Sequence, residues 1–166
     1  MEASLLLGKV VRTIWLFRSE GVHPAWVDNL TLPIAGFDAL LEFADDSFVK
    51  ISPCEVDLGP DRYPGLGLAL QHCTSEALRF ISHSGHTVEA VPLVEAAALV
   101  PFSIAGIEES DPIGEDTVSQ YLLTTNNGRV VTFRHMFPPM TLGIDVEIMD
   151  GTPNNSFKPS PHHGGA

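Results

Sequence analysis

His72 and Cys73 are adjacent, and His83 and His86 are spaced H-x-x-H, so metal ligation is the first chemistry to weigh. A zinc ion needs several such donors converging tetrahedrally. Adjacent ligands converge only in a special loop, and His83 and His86 straddle a turn centred on Ser84-Gly85. These read as exposed turn histidines, and no metal or redox cofactor is expected. The pair His162-His163 offers only weak, adventitious nickel binding. Thiol chemistry fares no better. Cys54 precedes Glu55 and Asp57, whose charge raises a thiol pKa where a nucleophile needs it lowered. Cys73 has only His72 beside it, and neighbours in an extended strand point to opposite faces. Both cysteines read as small buried hydrophobes.

Phosphate-binding and hydrolase signatures are absent. Gly65-Leu66-Gly67-Leu68 opens like a dinucleotide fingerprint, but no third glycine follows at the required spacing. There is no Gly-Lys-Ser or Gly-Lys-Thr, no G-x-S-x-G elbow and no H-E-x-x-H. Carboxylates are abundant, yet the sequence singles out no catalytic pair, because that assignment needs geometry. The balance is against an enzyme.

Charge is the most informative bulk property. Asp and Glu total 21 against 9 Lys and Arg, a formal net charge of −12. Such a surface repels phosphate backbones, which argues against nucleic acid as a partner. Between Arg79 and Arg129 there is no Lys or Arg, while Glu89, Glu95, Glu108, Glu109, Asp111, Glu115 and Asp116 all fall there. The span Glu108 to Asp116 carries five of these carboxylates around Asp111-Pro112 and Gly114, and it reads as an exposed loop able to steer toward a basic partner protein. A solvated, solubility-conferring face is the plainer reading of the same residues. Arg134 to Met140 mixes a cation, an imidazole, an aromatic, two thioethers and a diproline. Phe137 and Met140 are its candidate apolar anchors, against the plainer reading of a strand end and a proline-stiffened loop.

The elements that position these residues are mostly strands. Gly8 to Arg18 is rich in β-branched and aromatic residues. Ser19 to Pro24 reads as a turn. Ala39–Phe43 and Phe48–Ile51 flank Ala44-Asp45-Asp46-Ser47 as a hairpin, with Leu41, Phe43, Val49 and Ile51 on one face. A second hairpin is expected from Ala77 to Val91. A third spans Ser119 to Arg134 around Asn126-Asn127-Gly128, the strongest short-range hairpin signal. Leu142 to Met149 alternates as a last strand. Pro92 to Val100 reads as a short helix, with a continuing strand as the competing reading, and another short helix is open near Cys73 to Leu78. The fold class is therefore mainly β or α+β, an antiparallel, hairpin-rich sheet with few short helices. One globular domain covers residues 1–150, with an internal duplication of about 1–60 and 92–150 left open. Residues 151–166, rich in Gly, Pro, Ser and Asn, form a C-terminal tail.

The start has no basic stretch before Leu5-Leu6-Leu7, unlike a secretory signal, and the longest apolar run is broken by Glu89, Pro92, Glu95 and Pro101. Cytoplasmic location without a membrane partner is the expectation. In outline the chain resembles small acidic bacterial immunity-type proteins, through GKVVRTIWLF and the hairpin LLEFADDSFVKIS in roughly its first third. The resemblance implies a toxin-neutralising binding protein and carries over no functional residues. Three readings stand at this point. They are a non-enzymatic binder of a basic protein such as a toxin, a self-associating β protein or homodimer, and an enzyme with unrecognised carboxylate or histidine chemistry.

Overall fold

Alternation of apolar and polar residues gives eleven strands among the described residues, and every pairing between them is antiparallel. The computed structural model describes residues 1–18, 34–136 and 143–150. Strands β1 (Val10–Arg18), β2 (Ile34–Phe43), β3 (Phe48–Val56) and β4 (Gly65–Cys73) come first. They are followed by β5 (Arg79–Ile81), β6 (Thr87–Glu89) and the short β7 (Val91–Pro92). The last four are β8 (Phe102–Ser110), β9 (Gln120–Thr125), β10 (Val130–His135) and β11 (Ile144–Met149).

Six of these close on themselves in the order β2-β11-β10-β9-β8-β1, with β1 pairing back onto β2. The result is a barrel, and the hairpin β3-β4 extends from β2 beyond the closure. Its interior is filled from both halves of the chain. Leu41, Phe43, Val49 and Ile51 share it with Phe102, Ile104, Leu123, Val131, Phe133 and Val146. A bulge between Val11 and Thr13 inserts Arg12, and this brings Val11 and Ile14, three positions apart, onto the same inward face. Burying such side chains contributes roughly 1.5–3 kcal/mol each before entropy is counted.

A second, smaller core lies outside the barrel. Leu40 and Phe17 point outward and are covered by Ala77, Leu78, Val88 and Ala90 around the β5-β6 hairpin. Phe17 meets Phe80 edge-on, with ring centroids 5.2 Å apart.

The expected hairpins form around Asp45 and Asn127, and the one from Ala77 to Val91 forms as β5-β6. Asp46 sits at φ 61° and Gly128 at φ 81°, the left-handed conformations those turns require. The helix expected from Pro92 to Val100 is instead β7 followed by one 3-10 turn, Val94–Ala96. Alanine propensity loses here to docking. Leu93 N–H donates to Ile14 O at 2.8 Å, and Leu93, Ala96 and Leu99 are pulled into the core. Near Cys73 a single 3-10 turn forms at Ser75–Leu78. The turn expected at Ser19 to Pro24, the residue Leu142 and the tail 151–166 lie outside the described residues.

An acidic groove as candidate functional site

The barrel closes poorly at one seam. β8 pairs with β9 over six positions, from Ile104 to Ser110. Its other edge meets β1 only at Phe102 and Ser103, with two further backbone bonds, Gly8 N–H to Ile104 O at 2.9 Å and Ile104 N–H to Lys9 O at 3.0 Å. Gly8 adopts φ 78° and turns the chain away, so pairing stops there. The N-terminal 3-10 turn, Ala3–Leu6, then runs beside β8 without pairing with it. Leu6 anchors this turn in the core, while Leu5 and Leu7 stay exposed.

An open groove of about 610 Å³ lies between the two segments, lined by Glu2, Ala3, Ser4, Leu7, Ile107, Glu108 and Glu109. Consecutive strand residues point to opposite faces. A groove lined by Ile107, Glu108 and Glu109 together therefore runs along the strand edge. Glu109 lies opposite Tyr121, an inward residue, and so stands at the barrel mouth. Burial, aided by the nearby charges of Glu109 and Cys54, pushes the Tyr121 hydroxyl up to about 12. It remains a donor, to Leu68 O at 3.3 Å.

Glu2, Glu108 and Glu109 have no ion-pair partner among the described residues, and the cations that do form pairs hold other carboxylates. Lys9 holds Asp45, Arg12 bridges Glu42 and Asp46, Arg62 holds Asp116, and Arg134 lies between Asp145 and Glu147.

The span from Glu108 to Asp116, expected as one exposed loop, is two different structures. Glu108 and Glu109 are exposed residues of β8. Asp111, half-buried, accepts from Gly114 N at 3.0 Å, Asp116 N at 2.9 Å and Ser119 Oγ at 3.0 Å. Partial burial pushes its carboxyl up, but those donors together with the Thr117 N–H hold it below the usual carboxylate range. Glu115 accepts from Leu66 N at 2.6 Å, and Asp116 pairs with Arg62 at 2.9 Å. Three of the five carboxylates therefore build the loop and tie it to β4. Phe137 and Met140 lie outside the described residues. Sequence reasoning missed Glu2 and Leu7, whose only signal was an acidic residue ahead of an exposed apolar run.

Other chemistry-bearing side chains stay apart. His83 and His86 are exposed beside the β5-β6 turn. Burial pushes the Cys54 and Cys73 thiols up, and for Cys54 it is burial rather than the neighbouring carboxylates that does so. His135 is buried, its Nδ1 3.1 Å from Met136 O and its Nε2 without a partner among the described residues. Among the described residues no three His, Cys, Asp or Glu side chains come together to hold a metal ion, and no helix is long and apolar enough to cross a membrane. No protein-family model, curated protein or solved structure matches the chain.

Proposed function

We propose that this chain is a non-enzymatic binding protein that meets a basic partner protein along the acidic edge of β8. A toxin that it neutralises is the form of partner implied by the resemblance of its first third to immunity-type proteins. The observation that carries the reading is the groove itself. It gathers three carboxylates, Glu2, Glu108 and Glu109, with the exposed apolar Leu7, and its carboxylates are not neutralised from within the described chain. Unpaired carboxylates in a concave site focus a negative field and raise encounter rates with cations. Exposed Leu5 and Leu7 supply the apolar contact that charge alone does not.

The test uses basic proteins captured from the native host and measures their association rates over a range of salt. A Glu2→Gln, Glu108→Gln, Glu109→Gln variant should associate about tenfold more slowly at low salt, with the gap closing as the Debye length falls toward 8 Å. Asp116→Asn should leave the rate near that of the native protein, because Asp116 is already paired with Arg62. Equal rates for the triple variant and the native protein at low salt would remove this edge as the steering surface.

A further inference from the structure

We infer that the partner enters the groove as an extended, lysine- or arginine-bearing segment that adds a strand to the free edge of β8. This rests on the proposed acidic binding edge and adds the geometry of its occupant. Three observations lead to it. First, β8 continues as strand through Ser110 while its pairing with β1 ends at Phe102 and Ser103, so Ala105 to Glu109, with a bulge at Ala105, present a main-chain edge that pairs with no described strand and is flanked by the N-terminal 3-10 turn. Unpaired strand edges are templates for another strand, and natural proteins usually cover or distort them. Second, the molecule covers the first half of another long edge. At β4, Leu68 N–H donates to Val118 O at 2.7 Å and Leu66 N–H donates to Glu115. Third, the groove follows the edge and not one face, as its three consecutive lining residues show.

Charge selects the occupant. Alternate side chains of an added strand would face the two sides of β8, with Glu108 on the outer side and Glu109 at the barrel mouth. Glu2 lies across the groove. Cationic side chains at successive positions meet a carboxylate on either side. A second copy of this chain is disfavoured, since it would bring the same carboxylates and a net charge of −12 against each other. Leu7 and Ile107 are placed to pack against the aliphatic stems of the incoming lysines or arginines.

The probe is a short synthetic peptide in which two successive lysines alternate with two successive valines, so that cations face both sides of β8, compared with the same peptide N-methylated at every other amide. N-methylation removes the main-chain donors and keeps the charge. Binding is measured by titration, and the amides of Ala105 to Glu109 are followed by hydrogen exchange. The expected result is at least about tenfold tighter binding of the unmethylated peptide with protection confined to that stretch. Equal binding of both peptides, lost in Glu108→Gln, Glu109→Gln, would overturn strand addition while leaving the acidic edge standing. Failure of both peptides to bind at millimolar concentration, with no effect of the Gln variants on captured basic proteins, would sink both readings. Protection of the same amides that grows with protein concentration in the absence of peptide would assign the edge to a second copy and overturn the inference.

Discussion

Glu108 and Glu109 stand three residues or fewer from Asp111, yet the two groups of carboxylates do opposite things. Asp111 and Glu115, half-buried, accept from backbone amides and a hydroxyl, and the exposed Asp116 pairs with Arg62. They convert a Pro- and Gly-containing loop into a clamp on β4. Glu108 and Glu109 are exposed on a strand whose far edge pairs with no described strand. The difference lies in donors and not in composition. Residues 111–119 curl so that N–H groups converge on carboxylates, whereas the N–H groups of β8 already point along the sheet plane, to β9 or to the open edge. Acidity in the first case is structural, and in the second it is left over for a partner.

The sharpest way to break this contrast is to pry the clamp from β4. A Cβ added at Gly65 would sit 2.6 Å from Thr117 Cγ2, 2.9 Å from Leu58 Cδ1 and 3.1 Å from Glu115 O. Gly65→Ala should therefore destabilise by about 2–3 kcal/mol in urea denaturation. It should also raise amide exchange at Leu66 and Leu68, and stability within 0.5 kcal/mol of native would mean that the loop does not press on β4. Glu115→Ala comes next. It leaves the Leu66 N–H without its acceptor and should cost about 1–2 kcal/mol in the same measurement.

Acid should act on the clamp through Asp111. Its carboxyl is held below the usual range in the folded protein, so its contribution to stability is complete above the unfolded value of about 3.9. That contribution is lost as pH falls through the lower folded value. Protection of the Gly114 and Asp116 amides, taken relative to the intrinsic exchange rate at each pH, should fall below about pH 4, and Asp111→Asn should flatten this fall. A native profile that is flat from pH 6 to 3 would remove Asp111 as the organiser of the loop.

What could be read from the sequence divides along the same line between local and distant causes. The hairpins at Asp45 and Asn127 were legible because alternation and turn chemistry sit within a dozen residues. The carboxylate-rich span was legible as acidic, but its division was not. Whether Asp111 is free depends on the path of the following residues, and whether Glu108 borders an open edge depends on where β1, far away in the chain, stops pairing. Closure of the barrel by β1 and β2, the bulge at Arg12 and the docking of Leu93 on Ile14 are likewise long-range events with no local signature. The N-terminal turn escaped notice because Leu5, Leu6 and Leu7 have the same side chain, and only the fold decides that Leu6 alone is buried.

The smallest expected effect on stability completes the comparison. Glu108→Gln and Glu109→Gln keep side-chain size and strand geometry, and neither carboxylate accepts a hydrogen bond recorded among the described residues. Surface substitutions of this kind change stability by less than about 0.5 kcal/mol. Removing two like charges from a chain of net charge −12 favours the compact state slightly, so any shift should be upward. Urea midpoints should therefore match the native protein or exceed it, while Glu115→Ala falls below it. The same two Gln substitutions should give the larger loss in association with basic proteins, where Asp116→Asn gives none. Stability and binding would then rank the carboxylates in opposite orders. A fall of more than 1 kcal/mol for the Glu108 and Glu109 variants would show that these residues are tied into the fold after all, and the division between clamp and open edge would have to be redrawn.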